Sequence, residues 1–265
     1  MDRKAAWLLL AGTFVRASVG CIIFEANGSG FAANLRYLAV AAAYYKDDGT
    51  LFIDEKWYYK CAADRGWASF FRGDLPVPIT SDTPSNCRRI TFTDIHAEVE
   101  QSRWNDFEKE GLARIWQLTP FMRQAVSDVL TPFLHSSQPH VAFHVRGGDK
   151  FEGGQREKMT STLSDTLLTS FISAHPNVKA KTCLLLGDDH KLINQTQMLV
   201  ENQFACRAVL RGIHTGSAHR QQQFNELSLE KRCLATQRLI IDIETMANVE
   251  YFVGSPTSGI LHLLL

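Results

Sequence analysis

The chain has 265 residues, 45% of them hydrophobic and 10% aromatic, enough to bury one large core or two of domain size. Lys and Arg together number 28, as do Asp and Glu, so the formal charge is zero. That balance argues against a general nucleic-acid binder, which carries a basic excess, and leaves room for a local cationic site for one phosphorylated ligand.

Taken in chain order, a short charged start precedes an apolar run from Ala5 to Val15, broken by Arg16. The run is too short to span a bilayer. It fits either a secretory signal segment over residues 1–19, with small residues Ala17, Ser18 and Gly20 near a cleavage point, or a first core helix. The first reading implies the secretory pathway or Golgi and the second the cytoplasm; membrane contact follows only if the segment is an anchor. Cys21 to Glu25 reads as a strand, Asn27-Gly28-Ser29-Gly30 as a turn, and the following residues as a helix with Leu35, Leu38, Ala39 and Ala42 on one face. Thr50 to Asp54 completes a β-loop-α-β unit. The turn carries two glycines of the dinucleotide fingerprint and Asp54 ends the next strand, so a dinucleotide-dependent oxidoreductase is one alternative.

Trp57 to Asn86 reads as irregular, and Glu98 to Leu134 as helices interrupted at Thr119-Pro120, with Leu112, Ile115, Trp116 and Leu118 in the core. The polar linker Ser136-Ser137-Gln138-Pro139 divides the chain into a first lobe, 1–138, and a second, 139–265. The second half alternates regularly: strands at Val141–Val145, Thr182–Leu186, Ala208–Leu210 and Tyr251–Val253, and helices over about Leu163–Ile172, Leu192–Gln203 and Glu226–Val249. Such alternation predicts an α/β fold with parallel sheets and right-handed crossovers. The six cysteines show neither C-x-x-C nor zinc spacing. Cys183 and Cys206 read as buried thiols, while Cys61 and Cys87 flank the irregular stretch and would pair in an oxidising compartment.

Three strands of the second half end in loops with chemistry: Arg146-Gly147-Gly148-Asp149-Lys150, Gly187-Asp188-Asp189-His190 and Gly254-Ser255-Pro256-Thr257-Ser258-Gly259. Parallel strands place their carboxyl ends on one edge, where ligands of α/β sheets bind. The Arg146 guanidinium can grip two phosphate oxygens, and Gly147 and Gly148 let backbone N–H groups approach an anion. Ser255, Thr257 and Ser258 suit the far side of a pyrophosphate, or alternatively cap a helix. Asp188 or Asp189 can accept from a base N–H or a ribose hydroxyl. The acidic pair with His190 also has the chemistry of a Mg2+ or Mn2+ site, but Arg146 already supplies positive charge, so no metal is expected.

The three ordered stretches H-V-R-G-G-D-K, L-G-D-D-H and D-I-E-T-M-A-N-V-E-Y-F-V-G-S-P-T-S-G resemble the motifs of the α1,6-fucosyltransferase family. That family includes bacterial chitooligosaccharide fucosyltransferases and is related to the protein O-fucosyltransferases. The likeness covers about Ala142 to Leu265 and extends to G-S-G-F-A-A-N-L and T-L-F-I-D-E-K-W-Y-Y in the first half. It implies two Rossmann-like lobes in a GT-B-like arrangement, with GDP-fucose held by the second lobe and the acceptor glycan or protein by the first. It also implies inverting transfer without a metal or other cofactor.

On this resemblance Arg146 meets the donor pyrophosphate, and His144, Asp149 and Lys150 complete the motif. Asp188 and Asp189 lie near the nucleoside, Asp242 precedes the last motif, and Ser258 belongs to the phosphate-side turn. Asn27, Gly28 and Gly30 form the acceptor-side loop. The chain departs from the family at Gly147, where a second arginine is usual, at Gly154 in place of a glutamate, and at Gly259 in place of a glutamine. It also stops just after the last motif, so the second lobe reads as a truncated or minimal version. With Gly154 unable to act as base, Glu152 is the candidate general base and Asp149 its alternative. These departures leave a non-catalytic nucleotide- or sugar-binding module as the rival reading.

Overall fold

The computed structural model describes residues 20–54, 59–61, 66–72, 76–134, 140–145, 165–179, 182–187, 190–204, 206, 208–211, 221–254 and 258–264. The apolar run at 1–19 and the linker at 136–139 lie outside them.

Two four-stranded parallel sheets form the framework. The first holds β1 (Gly20–Phe24), β2 (Gly49–Ile53), β3 (Val77–Pro78) and β4 (Arg88–Ile90) in the order β3-β2-β1-β4. The second holds β5 (His140–Val145), β6 (Thr182–Gly187), β7 (Ala208–Arg211) and β8 (Tyr251–Gly254) in the order β7-β6-β5-β8. In each, the chain winds outward from its first strand and then returns to add the fourth on the other side.

The described helices are α1 (Phe31–Tyr44), α2 (Phe92–Glu98), α3 (Trp104–Ile115), α4 (Pro120–Leu134), α5 (Asp165–Ala174), α6 (His190–Gln203), α7 (Gln221–Glu226), α8 (Leu229–Ala247) and α9 (Gly259–Leu264). The face predicted for α1 is the buried one, since Leu35, Leu38, Ala39 and Ala42 are all nearly inaccessible. Its alanines let α3 come close: a Cβ on Gly111 would overlap the backbone of Ala39. Arg36 on α1 then grips Glu108 on α3 through two hydrogen bonds, at 2.6 and 2.9 Å. Neither β3, β4 nor α2 has an apolar run to announce it. The polar edge strand β4 is instead supported by ion pairs from Arg88 to Glu98 and Arg89 to Glu25. A reciprocal Thr91–Asp94 capping box starts α2.

Apolar packing joins the two sheets. One cluster runs from Ile22, Leu35 and Ile90 of the first lobe through Ile240, Ile243 and Met246 of α8 to Ala142, Leu184 and Leu186 on one face of the second sheet. A second cluster packs the opposite face of that sheet, through Val141, Phe143 and Leu185, against Leu168 of α5 and Ile193 and Val200 of α6. The strands therefore separate on either side of residues 138 and 139, whereas α8 of the second half shares the first lobe's core.

All six cysteines are paired, as Cys21–Cys87, Cys61–Cys233 and Cys183–Cys206. The expected Cys61–Cys87 pair is thus incorrect: β1 and β4 are neighbours, which brings Cys87 to Cys21, and Cys61 faces α8. Cys183 and Cys206 are buried, as expected, but bonded to each other rather than free.

Candidate functional site

Parallel pairing sets Val145 opposite Gly187 and His144 opposite Gly254. Three strands consequently stop at one level, and the segments beginning at residues 146, 188 and 255 leave from a single edge. The strand order reverses between β5 and β8, which is where α/β sheets open a crevice for ligands. Gly187 is required there because a Cβ would overlap the carbonyl of Val145. Of the residues singled out from the sequence, Arg146, Gly147, Gly148, Asp149, Lys150, Glu152, Asp188, Asp189, Ser255 and Thr257 lie outside the described residues.

His144, Ser258 and Asp242 are described. His144 is 3% exposed and lies on the sheet face shared with α8, its ring 6.5 Å from that of Phe252 and nearly parallel to it. Ser258 is equally buried and caps α9, its hydroxyl oxygen accepting from the Ile260 N–H at 3.3 Å. The capping role leaves the hydroxyl proton to donate elsewhere. Asp242 is half-buried on α8, and desolvation of its carboxyl pushes its pKa up to about 8 against the lowering influence of Arg238 one turn away.

The first-lobe loop is fully described. Asn34, 3% exposed, accepts from the Asn27 N–H at 3.0 Å and donates to the carbonyls of Asn27, Ser29 and Gly30. Asn27 in turn accepts from the Ser29 N–H at 2.8 Å. The loop opens directly onto the second lobe. A Cβ on Gly259 would stand 3.1 Å from the Cβ of Ala32, so the first turns of α1 and α9 touch. Since α1 follows β1 and α9 follows β8, this contact brings the carboxyl edges of the two sheets together. Helix α7 closes the side: Gln221 Oε1 lies 3.4 Å from the position of a Cβ on Gly30, and Asn225 Nδ2 lies 3.8 Å from that on Gly28. Buried Tyr59 stacks on Phe224 and donates to Gln221 Oε1 at 2.8 Å.

Asn34, Tyr59, Gln221 and Asn225 were not among the residues expected from the sequence. Asn34 alone left a signal, as a polar residue on the otherwise apolar face of a predicted helix. Among the described residues, no group of three His, Cys, Asp or Glu side chains can hold a metal ion, and no helix is long and apolar enough to cross a membrane.

No protein-family profile matches the chain, and no curated protein matches its sequence. Solved structures do match. The chain is similar to NodZ alpha-1,6-fucosyltransferase soaked with GDP-fucose, at 14% identity over 92% of this chain and 91% of that one, with a TM-score of 0.56. A selenomethionine structure of fucosyltransferase NodZ from Bradyrhizobium gives 14% identity, coverage of 92% and 90%, and a TM-score of 0.59. FUT1 from Arabidopsis thaliana, an arginine-to-lysine mutant in complex with GDP, gives 11% identity, coverage of 92% and 68%, and a TM-score of 0.52. At these identities the likeness is one of fold: two Rossmann-like α/β lobes with parallel sheets, of the GT-B-like kind found in fucosyltransferases.

Proposed function

We propose that this chain is a glycosyltransferase that moves fucose from GDP-fucose to a hydroxyl of a glycan or protein acceptor, with inversion and without a metal ion. The observation that supports the reading is the common level at which β5, β6 and β8 end, the edge from which the three motif-bearing segments start. The fold shared with fucosyltransferases solved with GDP-fucose or GDP supports it.

In this reading the acceptor oxygen attacks the anomeric carbon as the bond to the β-phosphate oxygen breaks, and GDP leaves. Negative charge builds on the departing diphosphate, so fixed donors there lower the barrier more than uniform binding does. Arg146, the amides of Gly147 and Gly148, and the Ser255–Ser258 turn supply those donors, and Lys150 adds charge nearby. Asp188 and Asp189 take the nucleoside side, and Asp242, before the last motif, also serves GDP-sugar binding. Glu152, or Asp149 in its place, accepts the acceptor proton, a contribution of about 10²–10⁴-fold. Three disulfides favour an oxidising compartment, in keeping with the secretory pathway.

Calorimetry with GDP-, UDP- and ADP-sugars, with and without EDTA, tests the donor class. Preferential binding of GDP-sugars, indifferent to chelation, is expected. A preference for UDP or ADP, or loss of binding on chelation, overturns the reading. Gly147 and Gly154, where the resembling family carries arginine and glutamate, favour a second reading as a non-catalytic nucleotide-sugar-binding module. Tight GDP-fucose binding with no transfer to any acceptor in a glycan and peptide panel selects that alternative.

A further inference from the structure

The junction between the lobes contains a polar relay that the proposed chemistry above does not use. The Tyr59 hydroxyl donates to Gln221 Oε1 at 2.8 Å, which turns the Gln221 amide so that its Nε2 donates to Asn225 Oδ1, also at 2.8 Å. The relay therefore fixes which end of the Asn225 side chain is presented outward, and that end is the amide nitrogen. Tyr59 is held in turn, being 2% exposed and stacked on Phe224 at 4.8 Å. Asn225 Nδ2 stands over Gly28, 3.8 Å from the position a Cβ would take there, and has no hydrogen-bond acceptor among the described residues. Gly28 and Ser29 beneath it are exposed, so the place the amide overlooks is open to solvent.

A neutral amide with two oriented N–H groups matches neutral oxygen acceptors such as sugar hydroxyls. Its position selects which sugar. The loop under Asn225 leads into the first turn of α1, which touches the first turn of α9. The residue before α9, Ser258, belongs to the turn assigned to the pyrophosphate. On the GDP-sugar reading, the ring attached to that pyrophosphate is the sugar assigned to this junction.

We infer that Asn225, oriented by Tyr59 through Gln221, is a specificity-determining residue that donates a hydrogen bond to a hydroxyl of the donor sugar. The inference rests on the GDP-sugar reading of the crevice. It is tested by titrating the unaltered chain, Asn225→Ala and Tyr59→Phe with GDP and, separately, with GDP-fucose. Loss of one neutral hydrogen bond predicts GDP-fucose affinity about 3- to 10-fold weaker in Asn225→Ala with GDP affinity unchanged. Tyr59→Phe should shift in the same direction by less. Unchanged GDP binding also shows that each variant is folded. If Asn225→Ala leaves both affinities intact, or lowers both alike, the inference is overturned while the donor reading stands. An unchanged GDP-fucose affinity in Tyr59→Phe overturns the relay. Failure of the unaltered chain to bind GDP at all overturns the donor reading and the inference with it.

Discussion

The two sheets share one strand order, and in each a glycine-containing stretch follows the first strand, yet the two stretches differ in kind. The loop after β1, Asn27 to Gly30, is uncharged, and its backbone groups are consumed internally by four hydrogen bonds to the Asn34 side chain. The loop after β5 carries Arg146, Asp149 and Lys150 in five residues around two glycines. The same topology thus carries a neutral, internally hydrogen-bonded loop in one lobe and, in the sequence of the other, a charged stretch, which the proposed function pairs with hydroxyls and a diphosphate respectively. On that proposal the division of labour comes from the residues that follow each first strand, not from the fold.

Five variants probe that division. The largest effect is expected for Arg146→Ala, which should lower kcat/KM for GDP-fucose by about 10²–10³-fold, the scale of losing a principal charge-stabilising donor. Its melting temperature should stay unchanged, and transfer at the normal rate would show that the second-lobe loop is not the charged partner. Next, Cys61→Ser with Cys233→Ser removes the bridge that ties the lobes across 172 residues, and urea denaturation should show a loss of about 2–4 kcal/mol. Removing Cys183–Cys206, which closes only 23 residues within one lobe, should cost about 1–2 kcal/mol less.

Asn34→Ala should cost about 1–3 kcal/mol of stability, because the Asn27 N–H and three carbonyls lose their buried partner. GDP affinity in that variant should hold. A tenfold loss of GDP binding without loss of stability would mean that the neutral loop grips the anion after all. The effect at Asp242 is the one that depends on pH. Its folded pKa of about 8 lies above that of an unfolded aspartate, so between roughly pH 4 and 8 the native state holds a proton the unfolded chain has lost. This group therefore destabilises the fold increasingly as pH rises through that window. Asp242→Asn should raise the melting temperature by a few degrees at pH 8, with the gain vanishing near pH 4, as scanning calorimetry can check. A gain independent of pH would dissociate the effect from the carboxyl's ionisation.

The second lobe was more legible in the sequence than the first, for a physical reason. A strand buried on both faces reads as an unbroken apolar run, and β5, with Val141, Ala142, Phe143 and Val145, is such a strand. The glycines ending β6 and β8 marked the edge. In the first lobe, β4 consists of Arg88, Arg89 and Ile90, an edge strand whose arginines are satisfied by Glu25 and Glu98 from elsewhere in the chain. No local pattern encodes that support. Disulfide partners were equally hidden: Cys61 and Cys87 lie near one another in sequence, but strand order carries one to β1 and the other to α8. Asn225 sits in the polar run Q-Q-Q-F-N-E, and only the approach of α7 to the Asn27–Gly30 loop gives it a direction.

The apolar cluster threaded through α8 bears on how the molecule behaves as a material object. Ile240, Ile243 and Met246 are buried with Ile22 on one side and Leu184 on the other. A fragment cut at residue 138 would leave these side chains bare in one piece and the matching first-lobe surface bare in the other, inviting both to aggregate. Heating the intact chain should accordingly melt both halves in one cooperative event, and any opening of the cleft must proceed by bending around this common wedge.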